Sequence, residues 1–173
     1  VKQFAQDGGT IIATGNALKW LKSSGLAAVE FRNQPADAPG QRPYGNLSED
    51  RGARTMPGAI FEADLDLTHP LCFGYANSKL SLFIADTLYV EPAKNPYATP
   101  ITLTKTPLLA GYIHPKQKPL TPGAAGAIIY GLGRGKMICF PGNPNSAWRS
   151  GCFFAAHYPR LREINVEFHE HGH

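Results

Sequence analysis

The sequence is poor in the residues that build metal sites and disulfide frameworks. Its cysteines are three, Cys72, Cys139 and Cys152, and none forms a Cys-x-x-Cys pair. That argues against a structural zinc site or a disulfide scaffold, and favours buried apolar thiols. None of His69, His114, His157, His169, His171 or His173 has a Glu three residues later, and His-Glu-x-x-His is absent. A zinc peptidase site therefore does not lie within these residues. No apolar run reaches the ~20 residues of a membrane-spanning helix, and no signal peptide is visible. The Lys and Arg residues are scattered, apart from Arg51/Arg54, Arg134/Lys136 and Arg160/Arg162. No basic stripe interleaved with aromatics appears, so nucleic acid is not an expected partner.

What is present suits one α/β domain over residues 1–173. Hydrophobic residues make up 43% of the chain, which excludes a chain disordered throughout, and the formal charge is only +4. The counts of 18 Gly and 15 Pro imply many turns. Val1 is not an initiator Met and the chain opens inside a helix-like pattern, so an upstream part is expected.

Residues 1–7 carry apolar Val1, Phe4 and Ala5 at helical spacing, stopped by Gly8-Gly9. Residues 10–14 form a continuous apolar run, as in a buried parallel strand. After the Gly15-Asn16 turn, residues 17–24 read as a helix and 27–31 as a second strand. That alternation is the pattern of a wound sheet. Residues 33–58 break it with four prolines and the charged group Glu49-Asp50-Arg51, so a long insertion loop is expected there. Residues 59–66 are extended, and Thr68-His69-Pro70-Leu71 is a turn. One or two strands fall within 81–91, a strand within 101–104, and an apolar segment at 108–113. Residues 124–130 and 136–140 flank a glycine-rich turn as a hairpin. A helix over 146–158 and a tail over 159–173 close the chain.

Several clusters invite a chemical reading. Gly131-x-Gly133-x-Gly135-Lys136 suggests a phosphate loop, but Met137 follows the lysine and a strand follows the turn, which fits a hairpin better. Asp64, Asp66 and His69 could do acid–base work. The rival reading is structural: Asp66 and Thr68 cap the turn before Pro70, and His69 is hydrogen-bonded beneath it. Asn145 or Ser146 suits a helix cap. Arg149, in the first turn of that helix, is disfavoured by the helix dipole and so calls for a specific acceptor. The tail His169-Glu170-His171-Gly172-His173 could hold a stray metal ion, and a frayed chain end is the plainer account. Asn46-Leu47-Ser48 matches a glycosylation acceptor, a triplet common by chance.

The series Gly8-Gly9-Thr10-Ile11-Ile12-Ala13-Thr14-Gly15 resembles the turn, strand and elbow of class I glutamine amidotransferase-like domains. Asp66-Leu67-Thr68-His69-Pro70-Leu71-Cys72-Phe73-Gly74-Tyr75 resembles a segment of their non-catalytic relatives. With Gly133 to Phe140 and Asn143 to Arg149, the chain is similar to the C-terminal domain of some bacterial zinc carboxypeptidase-like proteins. The resemblance implies a flavodoxin-like parallel sheet between helices, with the first strand upstream of Val1. It also implies that the catalytic slots are empty. The elbow that carries a nucleophilic Cys in active relatives is here Gly15-Asn16-Ala17. The slot for a His and a Glu reads Pro141-Gly142-Asn143-Pro144-Asn145.

The expectation is therefore a non-catalytic accessory domain of a periplasmic or extracellular zinc carboxypeptidase-like protein. Its partner would be the catalytic domain of the same parent chain, which would hold the Zn; these residues need no cofactor. A second expectation is a module binding a sugar, carboxylate or peptide through Asn16, Asp64, Asp66, His69, Asn143, Asn145 and Arg149. A third is a hydrolase using Asp66 and His69.

Overall fold

A computed structural model describes residues 1–33 and 40–142. The expected helix over 146–158, the tail, and Asn143, Asn145, Arg149 and Cys152 lie outside the described residues.

The chain is an α/β protein with few helices and a curled, mixed sheet. Helix α1 (Lys2–Gln6) leads to β1 (Thr10–Thr14), α2 (Ala17–Ser23) and β2 (Phe31–Arg32). Helix α3 (Leu47–Gly52) precedes β3 (Ala59–Leu65), β4 (Lys79–Ile84) and β5 (Tyr89–Val90). Strands β6 (Ile101–Gly111), β7 (Ala125–Leu132) and β8 (Gly135–Phe140) follow. The main sheet runs β1-β8-β7-β6-β3-β4, and β2 pairs with β5 apart from it.

Among the described residues one strand pair of the main sheet is parallel, β1 with β8, in the register Thr10↔Lys136 to Thr14↔Phe140. The remaining pairs are antiparallel. The apolar runs explain why β8 sits inside. Met137, Ile138, Cys139 and Phe140 are all buried, as a strand covered on both faces requires. Met137 and Cys139 join Leu18, Leu21, Val29 and Ile128 beneath α2. Ile138 and Phe140 join Phe61, Leu65, Leu71 and Ile101 on the other side. Strand β3 has the alternating pattern instead: Ala59, Phe61, Ala63 and Leu65 are buried, while Ile60 and Asp64 are exposed.

The expected hairpin is present, with Leu132 opposite Gly135 across Gly133-Arg134. It is locked to α1. Arg134 N–H donates to Gln6 O (3.2 Å), and Lys136 N–H donates to Gly9 O (3.2 Å). A Cβ on Gly135 would overlap the carbonyl oxygens of Ala5 and Gly9. Gly135 is therefore required by backbone approach, not by phosphate binding.

Three sequence expectations need correction. Residues 27–31 do not add a strand to the main sheet. Ala27 and Val29 are buried beneath α2, and only Phe31 and Arg32 find a ladder, with β5. There the Arg32 guanidinium holds the carbonyls of Leu120 (3.0 Å), Pro122 (2.7 Å) and Gly123 (3.3 Å) and the Glu91 carboxylate (2.7 Å). The 33–58 stretch is not a bare loop, since it contains a 3₁₀ turn, Tyr44–Asn46, and α3. Glu49 and Asp50 in the first turn of α3 are a helix-start signal masked by the surrounding prolines. Finally, 101–104 and most of 108–113 belong to one long strand, which ends at Gly111. The register jumps where Ala63↔Leu103 gives way to Phe61↔Leu108, and Pro107 in that interval has no N–H for the ladder.

Replacing Gly135→Ala is expected to destabilise the fold by roughly 1–3 kcal/mol, the cost of forcing a methyl into filled space. Gly131→Ala, with nothing within 4 Å of the added carbon, should stay within about 0.5 kcal/mol of the parent. Urea denaturation of the two variants checks both values.

Candidate functional site

The expected site residues fall in two places, beyond β3 and at the turn after β1. Strands β1 and β8 run together toward Gly15 and Pro141. Strand β7 returns, β6 runs forward again, and β3 returns once more. Asp64 pairs with Thr102 and Thr102 with Ala125, while Ile128 pairs with Cys139, so by register the end of β3 is level with the end of β8, and Asp66 and His69 follow it. Asn16 lies at the end where β8 finishes.

At the β3 end the side chains are committed to structure. Lys79, opposite Asp64 in the ladder, places its ammonium 2.6 Å from the Asp64 carboxylate and 3.4 Å from Glu62. Asp66 Oδ1 accepts the Thr68 hydroxyl (2.6 Å) and the Thr68 N–H (3.0 Å). These bonds hold its carboxyl below the usual range, the hydroxyl contributing most. His69 Nδ1 accepts the Leu71 N–H (3.1 Å), and its carbonyl accepts Cys72 N–H (2.8 Å). Leu71 and Cys72 then plug the core. The capping arrangement expected from Asp66, Thr68 and Pro70 is what the turn contains.

Burial, chiefly, holds His69 below the ordinary imidazole range; Asp66 pulls it up and Lys136 pushes it down. The charge of Lys136, in the glycine-rich hairpin, thus reaches the turn. Burial pushes the Cys72 thiol up to about 11, with the Asp66 charge adding to it, and the Cys139 thiol up to about 12. Neither supplies a thiolate near neutrality. Both cysteines are buried, as expected from the sequence.

After its last residue, β1 turns sharply into α2 through Gly15, whose φ is +52°. Its N–H donates to Phe140 O (2.9 Å), which sets the elbow directly beside the segment leaving β8. Asn16 is exposed at the start of α2 and its side chain makes no capping bond. The curl of the sheet brings in the end of β4. A Cβ on Gly15 would lie 3.8 Å from the Asp86 carboxylate, and one on Gly142 would lie 3.8 Å from Ile84. Asp86 had no signal in the sequence, because only the curl carries it to the elbow.

Among the described residues, no group of three His, Cys, Asp or Glu could hold a metal ion. No helix among them is long and apolar enough to cross a membrane.

Two outcomes are expected at the β3 end. Asp66→Asn keeps an acceptor for Thr68 and should melt close to the parent, whereas Asp66→Ala should melt lower; differential scanning calorimetry compares them. His69 is held neutral by folding, so the folded chain binds fewer protons than the unfolded one. Its contribution to stability is complete above the unfolded value of about 6.5 and is lost as pH falls below it. Urea midpoints between about pH 7.5 and about pH 5 should fall more for the parent than for His69→Asn, whose amide oxygen makes the same turn without titrating.

No family model, curated protein or solved structure matches the chain.

Proposed function

We propose that this chain is a non-catalytic, amidotransferase-like accessory domain of a larger zinc carboxypeptidase-like protein. The observation that carries this reading is Gly15. A strand-to-helix elbow with positive φ is where such folds display a nucleophile. Here that position has no side chain, and the second slot, entered through Pro141-Gly142, begins beside it at Phe140. A thiolate needs a base and an orienting partner, and the elbow offers no thiol for them to act on. The flavodoxin-like part of the proposal is supported by the parallel β1/β8 pair, the elbow between β1 and α2, and the burial of β8 on both faces.

On this reading the parent hydrolyses C-terminal residues of peptides in the periplasm or outside the cell. Its Zn is held by upstream ligands, and this domain serves packing, substrate access or assembly. The flavodoxin-like relatives' first strand would precede Val1 and pair with the side of β1 that has no ladder partner among the described residues.

A second reading is favoured by Asp86. Wound sheets take ligands beyond the carboxyl ends of their parallel strands. The Asp86 carboxylate and the exposed Asn16 amide flank that place here. A neutral sugar hydroxyl suits a carboxylate and an amide better than a carboxylate ligand does.

The first reading expects an antibody against this domain to detect a native protein much larger than 173 residues, with upstream peptides carrying a His-x-x-Glu pair. It also expects no hydrolysis of glutamine or peptide by the isolated chain. A native protein beginning near Val1, or turnover by this chain alone, overturns it. A thermal-shift screen of monosaccharides addresses the second reading, since a ligand bound only by the folded state raises the midpoint.

A further inference from the structure

The outward side of the sheet carries an apolar row where β4, β3 and β6 lie side by side. The register sets Phe83 opposite Ile60 and Ile60 opposite Ala110. Phe83 is 36% exposed and Ile60 39%, although their inward neighbours Ile84 and Phe61 are buried. Leu109 and Tyr112, just before and after Ala110 in the chain, are more than half exposed. Single apolar residues on a surface need no explanation, but a row of them marks a place where something docks.

The same side carries an excess of acid next to this row. Ser81 lies opposite Glu62, and Lys79 lies opposite Asp64. Two acidic side chains therefore share one ammonium, which is 2.6 Å from Asp64 and 3.4 Å from Glu62. Glu62 has the weaker share, and it is the residue that follows Ile60 on the outward side of β3. An occupant matched to this face offers apolar side chains flanked by a cation, and no acid.

Gly142 is the last described residue, and it lies at the edge of this face. A Cβ there would be 3.8 Å from Ile84 and 3.9 Å from the Phe83 carbonyl oxygen. Residues 143–173 continue from that point, outside the described residues. Extended, residues 143–145 reach roughly 10 Å, which is about the spacing from β4 across β3 to β6. The helix expected over 146–158 would be about 20 Å long. Its Trp148, Cys152 and Ala155 recur at the spacing of one helix face, and the segment holds Arg149 but no Asp or Glu. We propose that residues 146–158 of this chain cover the Phe83–Ile60–Ala110 row, with Trp148 on the apolar side chains and Arg149 paired with Glu62. That pairing supplies the acceptor that a cation in the first turn of a helix calls for.

The emission of Trp148 in the full chain tests the proposal, in a Trp20→Phe background that leaves it the single tryptophan. It is expected to emit as a shielded indole, with acrylamide quenching severalfold slower than that of N-acetyltryptophanamide. Ile60→Ser and Tyr112→Ser should each move the emission to the red and speed quenching severalfold. Tyr97→Ser, exposed but ahead of the opposite end of β6, should leave both unchanged. Glu62→Gln and Arg149→Gln should each speed quenching, and the double variant should add little to either single change. An exposed Trp148 in the parent, a shielded Trp148 that ignores both face substitutions, or fully additive effects at Glu62 and Arg149 overturns the proposal. So does shielding that is lost on dilution, the sign of a second copy on the face. Should Ile60→Ser fail to fold, Tyr112→Ser, at a more exposed position, carries the test.

Discussion

The close approach of α1 to the start of β8 sets the frame on which the rest is built. Lys136 N–H reaches Gly9 O, Arg134 N–H reaches Gln6 O, and the space between is so small that position 135 has room only for a hydrogen. This contact fixes where β8 begins. The parallel register with β1 follows, and so does the antiparallel hairpin with β7. Strand β8 then divides the interior. Met137 and Cys139 face the α2 side, and Ile138 and Phe140 face the curled sheet. Each buried side chain of this size contributes roughly 1.5–3 kcal/mol, so displacing β8 would uncover both cores at once.

The same strand orders the candidate chemistry. The charge of Lys136, near its start, acts on His69, and its end, at Phe140, supports the Gly15 elbow. The first place is a knot of turn bonds, with each acceptor matched to a backbone or hydroxyl donor. The second place is sparser, with a carboxylate and an amide beside a glycine. Polar groups spent on a turn are poorly placed to serve a substrate. That contrast directs functional attention to the elbow.

The polar fastenings outside the cores follow a common logic. Arg32 binds three carbonyls and a carboxylate, and Gln117 binds two carbonyls and accepts a hydroxyl. Both residues hold irregular backbone that has no ladder to satisfy it. Each is a single side chain serving several acceptors, so losing it leaves several of them unpaired together. Segments held this way open more readily than the strands.

The sequence by itself determined the local pieces: the apolar run of β1, the fully buried β8, the alternation of β3, the hairpin around Gly133 and the Asp66–Thr68 turn. These follow from periodicity and turn chemistry, which act between residues near in the chain. Only the tertiary structure decided what those pieces face. The antiparallel returns of β7, β6 and β3, with their registers, decided where Asp64, Asp66 and His69 lie relative to Asn16, and no local pattern encodes how often a sheet reverses. The curl brought Asp86 to Gly15 from a strand far along the chain. Phe31 and Arg32 left the main sheet for β5 because four acceptors around the guanidinium exist only once the fold has closed. The His114-Pro115 turn was equally legible as a dipeptide, but its importance lies in Gln117 meeting Ala53 and Thr55, residues that only folding brings within reach.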